Sequence, residues 1–170
     1  IGAGVDFKRL ARMTSGFSGA EIANTLNEAA IMCAKDGRKT ITMEDIFEAI
    51  NKEMMGPKKK SRLVTEVDKR ITAYHEAGHA VVGASVEYGH SVQEVTIIPR
   101  GRAGGYTLIR PDNDDEFTML SHLKASLAMT MGGRAAEEIV TQDISAGAVG
   151  DLQHATTLAR KMVTEWGMSE

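Results

Sequence analysis

Residues 73–84 read AYHEAGHAVVGA, and they set His75 and His79 four positions apart with Glu76 directly after the first histidine. An α-helix turns 100° per residue, so both imidazoles project from one face, one turn apart. Two such imidazoles can share one zinc ion, and the adjacent carboxylate can reach a water on that ion. Zinc lowers the pKa of a coordinated water to about 7, and a neighbouring carboxylate then takes its proton as the oxygen attacks a peptide carbonyl. The spacing predicts His75 and His79 as metal ligands and Glu76 as general base.

The bland alternative is a helix whose histidines make ordinary hydrogen bonds. The surroundings weigh against it. Ala73, Ala77, Gly78, Ala80, Val81, Val82, Gly83 and Ala84 make the helix apolar nearly all round, which predicts burial. Two imidazoles and a carboxylate in such a helix carry a desolvation cost unless something pairs with them, and a zinc ion would do so. A catalytic zinc takes three protein ligands and keeps one position open. The extended motif with a third histidine six residues on is absent, since Val82 and Ser85 stand where its glycine and histidine would be. The third ligand therefore comes from farther away. His90, His122, Glu137, Glu138, Asp143, Asp151 and His154 are the candidates, with Asp151 equally suited to cap a helix.

Outward from this helix, the chain divides in two. Residues 1–55 read as three amphipathic helices with short loops, a small bundle. Val5-Asp6-Phe7 opens the first, carrying Phe7, Leu10 and Ala11; Ser18 with Glu21 forms a capping box for the second; Thr42 with Asp45 forms a shorter version for the third. Cys33, the single cysteine, lies on an apolar helical face, so no internal disulfide forms and a reducing compartment is implied. Residues 56–64, with Gly56, Pro57 and three consecutive lysines, read as an exposed linker. Residues 65–170 mix types. A long helix spans 66–86, strands span 92–98 and 105–109, helices span 119–131 and 134–140 with a break or bend at Gly132-Gly133, and a last helix spans 151–166 after a flexible 145–150.

Composition narrows the function classes. In 170 residues, hydrophobic content of 42% and charged content of 25% are those of a globular protein. A net charge of -3 with interspersed signs gives no footprint for nucleic acid. No run of 18 apolar residues occurs, and Ile1 opens without an initiating methionine or signal peptide, which reads as part of a longer chain. No phosphate-binding loop of the G-x-x-x-x-G-K-[ST] type is present, so this chain by itself has no such means to bind and hydrolyse ATP.

Six blocks, GFSGAEIANTLNEAA, RKTITMEDIFEAI, AYHEAGHAVVG, VTIIPRGRAGGYTL, GGRAAEEIV and DLQHATTLARKMVTEWGMS, together resemble the FtsH-type ATP-dependent zinc metalloproteases, in that family's order. The resemblance implies a mainly α fold with a small β-sheet: a helical AAA+ lid over 1–55, then an α+β zinc metallopeptidase domain with the HExxH helix at its core. By the same likeness one Zn2+ per chain is held by His75, His79 and Asp151, with Glu76 as base. Glu137 is the runner-up ligand, and it suits better the part of a partner that orients a histidine. Gly105, Tyr106, Thr107, Leu108 and Ile109 resemble the edge strand that takes up an unfolded polypeptide substrate by main-chain pairing. Gly19 and Ala20 match a lid turn near bound nucleotide. The family pattern has Asn before the ligand aspartate where Gly150 stands here, which predicts a looser turn. The likeness further implies a hexameric ring of this chain or its paralogues. It also implies a membrane anchor outside this sequence, with the catalytic part in bacterial cytoplasm or a mitochondrial or plastid interior. A proteolytically silent subunit acting as ATPase scaffold is the alternative. It needs a broken zinc site, and the intact His75, Glu76 and His79 argue against it.

Overall fold

The structure is a computed structural model that describes residues 1–59, 64–89, 91–101, 103–110 and 119–169. It is mainly helical with one small sheet, and it falls into two compact units, Ile1–Lys60 with Arg100–Arg102, and Ser61–Pro99 with Ala103–Glu170.

The first unit contains α1 (Phe7–Met13), α2 (Gly19–Lys35) and α3 (Met43–Met55). Each start carries its own cap. Asp6 accepts from the amides of Lys8 and Arg9, and the Ser18–Glu21 and Thr42–Asp45 boxes are both closed reciprocally. Such caps satisfy amides that the helix leaves orphaned, each contributing about 1 kcal/mol. Leu10, Met13, Ala29, Ile46, Ala49 and Ile50 form the core, with Phe17, Leu26 and Phe47 packed against it. Phe7 and Ala11 lie outside it and are exposed. Cys33 is buried as a small hydrophobe. Asp45 also receives the Arg38 guanidinium, whose Nη1 donates to Oδ2 at 2.7 Å. Arg100 belongs to this unit as well, its buried guanidinium donating to Glu48 at 2.9 Å.

The second unit is built around α4 (Glu66–Ser85). Thr65 caps it by accepting from the Asp68 amide. On one side α4 packs on α5 (Leu120–Thr141), and on another on the antiparallel pair β1 (Ser91–Thr96) and β2 (Tyr106–Arg110). A register shift between Val92 and Glu94 marks a bulge. A 3-10 turn at Ala146–Ala148 then leads into α6 (Val149–Thr164), which packs on α5.

Four expectations need correction here. The break at Gly132-Gly133 does not exist: α5 runs through both glycines without interruption. They are there for proximity, because a Cβ on Gly132 would lie 2.7 Å from the Gly78 carbonyl oxygen, and one on Gly78 would strike the Gly132 carbonyl. Each glycine costs about 1 kcal/mol in helix propensity, which the close α4–α5 approach offsets. Second, α4 is central but not buried all round: Ala73, Ala77 and Ala84 are exposed, and Val81 is 64% exposed. Its apolar residues are mostly alanine and glycine, too small to force burial of every face. Third, the first strand ends at Thr96, three residues before Pro99. Fourth, Gly150 loosens no turn, because it lies inside the first turn of α6 with open space beside it.

Candidate metal centre

His75, Glu76 and His79 all come from α4, and α5 orients the imidazoles. His75 Nδ1 lies 2.8 Å from Glu137 Oε1, and His79 Nδ1 lies 2.8 Å from the Met129 carbonyl oxygen. A carbonyl and a carboxylate can only accept, so both Nδ1 atoms carry the hydrogen. Both Nε2 atoms are then bare lone pairs, and they face each other at 3.1 Å.

Asp151 completes the cluster from α6. Its Oδ2 lies 3.2 Å from His75 Nε2 and 3.6 Å from His79 Nε2. Asp151 does not cap its helix: it sits within the first turn, and α6 has no side-chain cap. Three acceptors therefore converge with no hydrogen between them, an arrangement that repels unless a cation joins it. Their separations match the edge of a tetrahedron with bonds of 2.0–2.1 Å, about 3.3 Å. Two imidazole nitrogens and a carboxylate oxygen suit zinc in chemistry as well as size. Among the described residues, no other trio of His, Cys, Asp or Glu gathers in this way.

The proton equilibria report the same demand for positive charge. The pKa of His75 is raised, chiefly because a proton taken up on Nε2 would hydrogen-bond to Asp151. For His79 burial works downward, but the bonds to Asp151 and the Met129 carbonyl outweigh it and the net shift is upward. Burial pushes Asp151 up, yet the two imidazoles hold it well below the ordinary carboxylate range.

Glu76 is 6% exposed, and that burial raises its pKa above the usual value. Thr107 Oγ1, from β2, lies 2.9 Å from both the Glu76 carbonyl oxygen and Oε2, so its one hydrogen is shared between them. Gly105 makes room for this approach: a Cβ there would lie 2.6 Å from the Thr96 carbonyl and 3.1 Å from Glu76 Cγ. The other expected strand residues bracket Thr107, with Tyr106 and Leu108 buried and Ile109 half-buried. Among the described residues the sheet holds these two strands and no third.

Of the remaining candidates, Glu137 is 3% exposed and touches His75 through Nδ1, on the side away from the converging atoms. Its other oxygen accepts from Ser145 Oγ at 2.8 Å. His122 packs its ring on Tyr88, with centroids 4.9 Å apart. Glu138, Asp143 and His154 are exposed elsewhere, and His90 lies outside the described residues. Gly19 and Ala20 form the exposed first turn of α2. Sequence reasoning missed four contributors: the Met129 carbonyl, the Thr107 hydroxyl, Ser145 and Gly133. Only Gly133 left a signal, an otherwise unfavourable glycine in a helical pattern. A Cβ there would lie 2.5 Å from His79 Nε2 and 2.7 Å from His75 Nε2.

Residues 62–170 match Peptidase family M41, and residues 4–48 match the AAA+ lid domain. The whole chain is 46% identical to the ATP-dependent zinc metalloprotease FtsH of Caldicellulosiruptor bescii, covering 28% of that protein. It is 51% identical over 166 residues to the ATP-dependent zinc metalloprotease FtsH 1 of a Thermoanaerobacter species, 98% of this chain and 27% of the relative. It is 47% identical over 166 residues to the FtsH of Veillonella parvula, 98% of this chain and 26% of the relative. The chain thus spans about a quarter of the length of the curated relatives it matches.

Proposed function

The chain belongs to peptidase family M41, and on that premise we propose that it contributes the lid and zinc centre of an ATP-dependent endopeptidase that processively degrades unfolded or membrane proteins. The observation that carries this reading is the convergence of His75 Nε2, His79 Nε2 and Asp151 Oδ2 beside the buried carboxylate of Glu76. His75, His79 and Asp151 would hold one zinc per chain. When bound, zinc supplies Lewis acidity that polarises a carbonyl and brings the pKa of water toward about 7.

The chain's own residues do the rest. Glu137 and the Met129 carbonyl fix the imidazole tautomers, so that both Nε2 lone pairs stay available. Glu76, whose burial makes it a stronger base than an exposed carboxylate, accepts a proton from the attacking water. It passes that proton to the amide nitrogen as the C–N bond breaks. Thr107 holds one carboxylate oxygen and leaves the other for this transfer. Residues Gly105 to Ile109 would receive the substrate as an added strand, and main-chain pairing fits the low sequence preference of a degradation enzyme.

The lid over 1–55, with Gly19 and Ala20 near the nucleotide, would join the peptidase part over 65–170 through a linker at 56–64. ATP and Mg2+ would act elsewhere in the full-length protein, arranged as a hexameric ring of this chain or its paralogues. A membrane anchor would lie beyond these residues, with the catalytic part in a reducing compartment. No described helix is long and apolar enough to cross a membrane.

The test is ATP-driven casein cleavage by the full-length protein, stripped with chelator and restored with zinc. Recovery at one zinc per chain supports the reading. Cleavage indifferent to chelation overturns it.

A further inference from the structure

The turn between α5 and α6 is tied to a residue that also touches the first imidazole. Ser145 Oγ accepts the Gly147 amide at 2.9 Å, inside the 3-10 turn that leads to Asp151. Its hydroxyl hydrogen is directed to Glu137 Oε2 at 2.8 Å. The opposite oxygen of the same carboxylate, Oε1, receives His75 Nδ1 at 2.8 Å. Both oxygens of a nearly buried side chain are thus engaged, one by the ring that α4 presents and the other by the turn that delivers Asp151.

The turn itself is held at its start. Thr141 Oγ1 bonds the Glu137 and Asp143 carbonyls, and Gln142 adopts a left-handed φ of 55°. The direction of the Ser145 bond is fixed chemically. The amide of Gly147 occupies its acceptor side, and a carboxylate oxygen can only accept, so the hydroxyl must donate to Glu137. A relay results: Gly147 N–H to Ser145, Ser145 O–H to Glu137, His75 N–H to Glu137.

Building on the zinc reading above, we propose that Ser145 is a positioning residue that locks the Asp151-bearing turn to the orientation of His75, so that the ligands are set as one unit. The serine touches neither metal nor substrate. It acts by holding Glu137 in the one rotamer that keeps the His75 ring aimed, and by keeping the 146–148 turn wound so that Asp151 arrives in reach. Partners of this kind change metal affinity when lost, by about 10- to 100-fold.

A serine that merely caps a turn would behave differently. For capping alone, glycine replaces serine at little cost while alanine is poor. For the relay, glycine and alanine are equivalent, since neither can donate to Glu137. Threonine keeps both functions. Zinc affinity is therefore measured by competition with a chromophoric chelator at neutral pH for the wild type, Ser145→Ala, Ser145→Gly and Ser145→Thr. Melting temperature in excess chelator follows the metal-free fold of each variant.

Ser145→Ala and Ser145→Gly should each raise the zinc dissociation constant about tenfold or more, with Ser145→Thr near wild type. The His75 Nδ1–H proton resonance should also shift in the alanine and glycine variants and stay in place in the threonine variant. Should alanine disturb the fold, the glycine variant carries the comparison. An affinity within about twofold of wild type in the alanine variant, or restored by glycine, overturns the relay while leaving the zinc centre standing. A wild-type protein that takes up no zinc removes both.

Discussion

Gly133→Ala probes the proposed metal centre from an unexpected side, because the methyl group adds no charge and removes none of the proposed ligands. Its carbon would sit 2.5 Å from His79 Nε2 and 2.7 Å from His75 Nε2. Ordinary contact begins near 3.5 Å, so the imidazoles or the helix must give way by about 1 Å. Zinc–ligand distances are held to about 0.2 Å, so the displacement is several times the tolerance of the site. The metal-free fold should suffer far less. Alanine gains about 1 kcal/mol of helix propensity over glycine, set against about 1–3 kcal/mol for overpacking. The expected result is a zinc affinity lowered by more than 100-fold, beyond the range for loss of a supporting hydrogen bond, with a modest change in melting temperature in chelator. Isothermal or chelator-competition titration of zinc, paired with thermal melts, measures both. Retention of zinc within about threefold of wild type would mean that the imidazoles do not lie against Gly133, and the geometry of the centre would have to be redrawn.

Glu76→Gln should slow cleavage by about 10²- to 10⁴-fold while zinc content stays at the wild-type level, as read by metal analysis of the purified protein; loss of the metal as well would make Glu76 a ligand. Asp151→Asn should weaken zinc binding more than Glu137→Gln, whose effect should fall within about 10- to 100-fold; the reverse order in a chelator titration would exchange their roles. In the helical unit, the hydrogen bond from Arg38, aided by Thr42, holds the Asp45 pKa below its ordinary value. A carboxylate of that kind stabilises the fold above its unfolded pKa of about 3.9, and the contribution is lost as pH falls below it. Asp45→Asn should therefore lower the melting temperature at neutral pH and flatten its decline below about pH 4; an unchanged acid slope in melts followed by circular dichroism would place the acid sensitivity elsewhere.

Local chemistry was legible, and tertiary contact was not. The capping pairs at Ser18 and Thr42 are short-range, so their helix starts could be read from spacing alone. The pairing of His75 with His79 is equally local. Asp151 could not be chosen from seven candidates by residue type, because the choice depends on how α6 crosses α5, and only the family resemblance singled it out. Gly132 and Gly133 misled for a related reason: propensity marks them as a break, while the approach of α4 demands both inside one helix. The Met129 carbonyl belongs to the backbone, and every residue has one, so no pattern distinguishes it. The hydroxyls of Thr107 and Ser145 owe their roles to partners 31 and 8 residues away.

The crossing of α4 over α5 at Gly78 and Gly132 has a consequence at the level of the gene. Every missense change that one nucleotide can make in a glycine codon introduces at least a Cβ, and at either position that atom runs into the carbonyl oxygen of the opposing glycine. Chemically mild and chemically drastic replacements are thus excluded by the same overlap of about 1 Å. A saturation screen of this chain would find codons 78 and 132 intolerant, although they lie 54 residues apart and encode no reactive group. It would be reporting the distance between two helix backbones, which no inventory of functional side chains contains.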